Sequence, residues 1–108
     1  MKNLKEQISD LRKLLKKKKF SEARILCEKL LRNNQSHIEL NFLLGFIYSK
    51  LHLNKRAEEQ LLKVTYLDPN YYDAIVELSL VYEVNGDHAK ASLFRERAFR
   101  ISNKAEKT

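Results

Sequence analysis

A period of 34 residues runs through this chain and constrains its fold more than any other feature. Leu44, Gly45, Tyr48, Ala57 and Leu61 recur 34 positions later as Leu78, Ser79, Tyr82, Ala91 and Arg95. Leu67-Asp68-Pro69-Asn70 closes one unit and Ile101-Ser102-Asn103 closes the next. A fixed period of this length describes stacked supersecondary units without a single closed core. Such architectures present extended surfaces to other macromolecules, so binding is the first function class to consider.

The units read as helix pairs. Leu4, Ile8, Leu11 and Leu15 share one face of a first helix ending near Lys17. A second starts near Ser21 and ends before Asn33-Asn34-Gln35. Ser36 and Glu39 have the spacing of a capping box for a third helix over about 37–50. Asn54 is placed to cap a fourth, over about 55–67, which ends at Asp68-Pro69-Asn70 because proline lacks an amide hydrogen. A fifth spans about 71–84. Gly86, free to adopt positive φ, separates it from a sixth over about 88–103. The expected fold is all-α: three antiparallel helix pairs at 4–37, 38–71 and 72–105 forming one domain over 1–108, with 104–108 a frayed tail.

Composition agrees. Two glycines and one proline leave little room for strands joined by turns. Leu, Lys, Glu, Ala and Arg, all good helix formers, are abundant. The longest apolar run, Phe42 to Tyr48, is too short to span a bilayer. No apolar stretch follows the N-terminal charges, so no secretory leader is expected. Cys27 is the single cysteine and fits a reducing compartment. These features set the expectation of a cytoplasmic protein. The net charge of +7 belongs to one end: residues 1–32 hold 11 Lys and Arg against four acids, while 33–69 and 70–108 each balance.

At the level of motif the chain resembles the tetratricopeptide repeat family. Leu44-Gly45, Tyr48, Ala57 and Pro69 stand at that family's spacings in the middle unit, and Leu78-Ser79, Tyr82, Gly86-Asp87, Ala91 and Ala98 do so in the third. The departures are Asn41 and Ile75 where a large aromatic is usual, and Asp10 and Leu11 where a leucine and a small residue are usual. Asn103 stands where proline would. The first helix is therefore free to pack in a shifted register. A narrower resemblance joins Tyr66 through Ala74, Gly86-Asp87-His88-Ala89 and Arg95-Glu96-Arg97-Ala98 to the C-terminal repeats of CheR-type chemotaxis methyltransferases. It implies a repeat module of such a protein, standing here without the enzyme.

The tetratricopeptide resemblance implies a right-handed superhelix whose first helices line a concave groove. The residues implied to face it are Lys5, Ile8, Arg12, Leu15 and Lys16; Glu39, Phe42, Phe46, Ser49 and Lys50; and Asp73, Val76, Leu80, Glu83 and Val84. Phe42 and Phe46, like Val76 and Leu80, lie one turn apart and form an apolar stripe beside the core positions. The alternative is that the two phenylalanines pack against the neighbouring unit, or that a second copy or residues 104–108 fill the groove. The first unit is basic, and Asp73, Glu77 and Glu83 make the third acidic. The matching ligand is an amphipathic peptide or partner helix, acidic toward the first unit and basic toward the third. Acidic C-terminal chaperone peptides would meet like charge at Asp73 and Glu77.

Catalysis finds no support. His37, His52 and His88 lie at helix ends or turns, with no ligand spacing among them, so neither a metal nor another cofactor is expected. Cys27 occupies a core position. Nothing matches an S-adenosylmethionine-binding fold. Lys16, Lys17, Lys18 and Lys19 form a basic patch at the first turn. Contact with nucleic acid or an anionic surface is the weaker reading of it, because no groove-reading set of Arg, Asn and Gln accompanies the lysines. A homodimer is the remaining alternative: Leu93 and Phe99 are expected near an uncapped stack end, where two copies could bury each other.

Overall fold

The computed structural model describes residues 1–106, and all its regular structure is helical. The elements are α1 (Leu4–Lys16), α2 (Phe20–Arg32), α3 (Ile38–Lys50), α4 (Asn54–Leu67), α5 (Tyr72–Val84) and α6 (His88–Glu106). Each packs on the next in sequence, and α3 also meets α5. The result is an α-helical repeat solenoid with extents of 43 × 34 × 24 Å.

The period is written in backbone hydrogen bonds as well as in side chains. The first helices start at Leu4, Ile38 and Tyr72, 34 residues apart. The degenerate first helix therefore keeps the common register, against the sequence expectation of a shift. Each helix pair turns through the same motif. The amides of Lys18, His52 and Gly86 donate to Leu15, Ser49 and Glu83, and those of Lys19, Leu53 and Asp87 to Leu14, Tyr48 and Tyr82. This pair of bonds is a Schellman closure, and it needs a left-handed residue at its centre. Gly86 supplies one at φ 82°, as expected, while Lys18 (58°) and His52 (61°) adopt the same region without being glycine.

Several cap expectations need correction. The cap of α3 is His37, whose Nδ1 accepts from the Leu40 amide at 3.2 Å, not Ser36. Glu39 does not complete a box; it pairs with Arg12 of α1. Asn54 is the first residue of α4, and Leu53 precedes it with no side-chain cap. α6 continues past Asn103 to Glu106. Lys104, Ala105 and Glu106 favour helix and no breaker interrupts them, so the expected fray is absent as far as residue 106. Residues 107–108 lie outside the described residues.

The core is a ribbon between paired helices. Leu11, Cys27, Leu40, Ile47, Leu61, Leu78 and the alanines at 23, 57, 74 and 91 are fully buried. Gly45 sets the closest approach. A Cβ there would stand 2.7 Å from both Cγ and Cδ2 of Leu61, well inside van der Waals contact. In the first unit the same two positions hold Leu11 and Cys27, both wholly buried: the large residue has moved from the second helix to the first. α1 correspondingly packs on α2 less closely than α3 on α4. Asn41, at the position where the family has an aromatic, is buried without a polar deficit. Its amide nitrogen donates to the Gln35 and His37 carbonyls at 3.0 and 2.7 Å, and its oxygen accepts from Gln60 at 2.5 Å.

The size exchange predicts non-additivity. Gly45→Leu alone should cost about 1–3 kcal/mol by overpacking. Combined with Leu61→Cys, it should recover about 1 kcal/mol or more of the summed single-mutant losses. Urea melts of the four proteins measure this, and strict additivity would contradict the exchange.

Candidate functional site

The first helices α1, α3 and α5 carry the residues expected at the groove, and the structure sorts them into three groups. A hollow of about 320 Å³ is lined by Leu15 of α1, by Phe42, Leu43 and Phe46 of α3, and by Tyr72, Asp73, Val76 and Glu77 of α5. Phe42, Phe46, Asp73 and Val76 are thus brought together as expected. The two phenylalanine rings lie 6.4 Å apart, and Phe42 also meets the Tyr71 ring at 5.4 Å. Both phenylalanines are half-buried, so they serve the packing of α3 on α5 and still leave faces open. Lys50 is exposed, with its ammonium 5.2 Å from the centre of the Phe46 ring. That cation–π contact places a positive charge at the rim.

A second hollow of about 380 Å³ continues toward the N-terminal end, lined by Leu4, Lys5, Ile8, Arg12, His37 and Glu39. Arg12 spans it to reach Glu39 across the α1–α3 gap. Ile8 is only 6% exposed and belongs to the core cluster. Ile8 thus lines this hollow as a nearly buried residue.

Leu80 and Glu83 lie farther along α5, outside the linings of both hollows. Leu80 is 54% exposed. Glu83 accepts from Arg95 at 3.2 Å and faces His88 Nδ1 at 2.9 Å, both on α6. The Arg95 hydrogen bond, with help from His88, holds its carboxyl below the usual range. The expected rim residue is therefore committed to α6. Lys16, Lys17, Lys18 and Lys19 are all exposed, and none takes part in an ion pair among the described residues.

Tyr72 and Leu43 join the hollow beyond the sequence reading. Glu77 is half-buried in the wall. Burial pushes its carboxyl upward, Lys50 pulls it back down, and Asp73 raises it further. An acid in such a setting favours a cationic partner. Cys27, by contrast, is sealed: burial pushes its thiol up to about 12, and its Sγ lies 3.4 Å from the Leu40 carbonyl oxygen. A thiol held that far above neutrality is no nucleophile. Among the described residues no group of three or more His, Cys, Asp or Glu is placed to hold a metal ion, and no helix is long and apolar enough to cross a membrane.

Comparison with known proteins places the chain. Residues 38–71 match the tetratricopeptide repeat family. A probable biofilm formation methyltransferase, WspC of Pseudomonas aeruginosa strain PAO1, is 30% identical over 83 residues. That alignment takes 77% of this chain and 20% of WspC, so the chain spans about a fifth of that relative's length. Among solved structures, MamA (residue 41 to its end) from Desulfovibrio magneticus RS-1 superposes with a TM-score of 0.85 at 19% identity, covering 91% of this chain and 55% of that one. The second repeat domain of Spaghetti (RPAP3), bound to the HSP90 peptide SRMEEVD, gives 0.84 at 16%, covering 89% of each. The middle unit, 38–71, is thus a tetratricopeptide repeat, and the chain shares the fold of tetratricopeptide-repeat structures along most of its length.

Glu77 gives the hollow a pH signature. Its folded-state pKa lies above its unfolded one, so the folded state holds the proton more tightly, and stability falls as pH rises from 4.5, the ordinary glutamate value, through the folded value. Glu77→Gln should therefore raise the melting temperature at pH 7 and have no such effect well below 4.5. An equal shift at both pH values would show that ionisation of Glu77 is not the cause.

Proposed function

We propose that this tetratricopeptide-repeat chain is a non-catalytic protein-interaction module that takes a peptide or partner helix in its concave face. The observation that carries the reading is the hollow between α3 and α5. Phe42, Phe46 and Val76 offer apolar contact beside the half-buried Glu77 and the exposed Asp73. The matching ligand sets one or two apolar side chains against the phenylalanines and a Lys or Arg against the two carboxylates. Arg12, Lys5 and the lysines at 16–19 give the opposite end of the face a preference for acidic residues. Binding of this kind rests on a few desolvated aromatic anchors with charge fixing orientation.

The family likeness supports the interaction role, and the WspC alignment supports the expectation of a repeat module related to chemosensory methyltransferases. On this reading the protein acts in the cytoplasm in bacterial signalling and contributes docking, not methyl transfer. The repeats fall at 4–37, 38–71 and 72–105. The acidic peptide held by the Spaghetti domain is the wrong ligand for this groove, because Asp73 and Glu77 stand where a carboxylate would need cations.

A second reading, self-association, draws on Leu93 and Phe99, which are 62% and 70% exposed. Sedimentation equilibrium at high protein concentration distinguishes it. The groove reading expects a monomer, and a dimer dispersed by Phe99→Asp would favour the second.

Fluorescence titration with a basic amphipathic peptide tests the groove. Phe46→Asp should weaken binding by roughly thirtyfold or more, as for a central aromatic anchor, with helicity retained. Undiminished binding, or a tight acidic-peptide complex that Phe46→Asp abolishes, would contradict the assignment.

A further inference from the structure

The last helix carries a second surface that the concave groove does not explain. α6 is 19 residues long, whereas the equivalent α2 and α4 have 13 and 14. In the first two units the chain has already turned into the next pair at this point. Here α6 runs alongside the α4–α5 connection and borders a cleft with it. About 460 Å³ of it is lined by Asn70, Arg97, Arg100, Ile101 and Lys104, and a further 400 Å³ opens between Ile101 and Tyr72.

The cleft is cationic on one side and apolar on the other. Arg97, Arg100 and Lys104 stand at i, i+3 and i+7, on one face of the helix. Among the described residues none of the three pairs with a carboxylate and no acid lines the cleft. Arg97 is held in place: it donates to the Pro69 carbonyl at 2.5 Å, and its guanidinium lies 5.8 Å from the centre of the Phe94 ring. The helix macrodipole accounts for Lys104, which lies in the last turn, but that effect fades within one turn. Arg97 and Arg100 need another reason to be uncompensated. Tyr72 is 43% exposed and Ile101 half-buried, so an apolar side chain has a place to rest beside the charges.

We propose that this cleft binds an acidic segment of a partner protein. Carboxylates one turn apart engage Arg100 and Lys104, with Arg97 fixed behind them, and a neighbouring apolar residue rests on Tyr72 and Ile101. Charge complementarity selects the occupant. The cations are confined to about two turns of a single helix, which suits a short peptide and falls short of the extended track that a nucleic-acid backbone follows. The cations lie apart from the hollow between α3 and α5, with Tyr72 at the border of both surfaces, so the two sites suit different segments of one partner.

The test uses the whole chain and a fluorescein-labelled peptide of about twelve residues, alternating pairs of Glu with single Leu. It should bind at low salt. Arg100→Gln with Lys104→Gln should weaken it about tenfold, two partly exposed ion pairs being lost. Phe46→Asp should leave it unchanged, and circular dichroism confirms folding of each variant. Retained affinity in the double variant overturns the proposal, as does loss in Phe46→Asp, which would put the peptide in the concave groove. Failure of the peptide to bind overturns it, and so does equal competition by inorganic phosphate or by a single-stranded oligonucleotide of matching charge. Failure of the concave-groove reading would leave this outcome untouched, because the cations tested here, Arg100 and Lys104, do not line the concave hollow and Tyr72, which borders both, is left unchanged.

Discussion

The contact between Gly45 and Leu61 sets the spacing on which the rest of the structure depends. Two helices joined by three residues approach as closely as α3 and α4 do when one of them withholds a side chain where they meet. Gly45 does so in the middle unit, and Leu61 fills the space. That approach directs Leu44, Ile47 and Tyr48 into the ribbon between helices and turns Phe42 and Phe46 toward the concave side. The Schellman closure at Lys18, His52 and Gly86 then returns the chain at the same angle each time. Close contact and left-handed turn together give a repeating geometry, and the concave face is its consequence.

Much of this was legible in the sequence because the period is a strong signal. The six helices and the pairing follow from apolar spacing, the Asp68-Pro69-Asn70 stop and Gly86. The register of the first unit was not, and the reason is physical. Leu11 and Cys27 look like violations when each is compared alone with Gly45 and Leu61, yet as a pair they place the larger residue on the first helix and the smaller on the second. The cap at His37 was missed because an imidazole nitrogen can accept an amide hydrogen bond as a serine hydroxyl does, and Ser36 was the more familiar candidate. Lys18 and His52 hide their left-handed geometry because nothing in a lysine or histidine announces it.

The site was legible as a set of positions more than as an arrangement. Phe42, Phe46, Asp73 and Val76 meet at the hollow where the tetratricopeptide resemblance put them. Glu83 is engaged by Arg95 and His88 of α6, since partner choice depends on neighbours that a single helix does not reveal. Tyr72 and Glu77 join the hollow because α5 rests against α3, a contact between non-consecutive elements. On the proposed reading, the half-buried carboxylate of Glu77 sets the groove's chemical preference. A purely apolar hollow would accept many ligands, and an acid already partly desolvated favours one that brings a positive charge.

The most direct measurement is a chemical-shift map of the isotope-labelled chain titrated with a basic amphipathic peptide. Binding in the concave face should perturb Phe42, Phe46, Tyr72, Val76 and Glu77 together and leave the outer faces of α2 and α4 unmoved. Perturbations confined to α2, α4 or α6, with the hollow between α3 and α5 silent, would contradict the account.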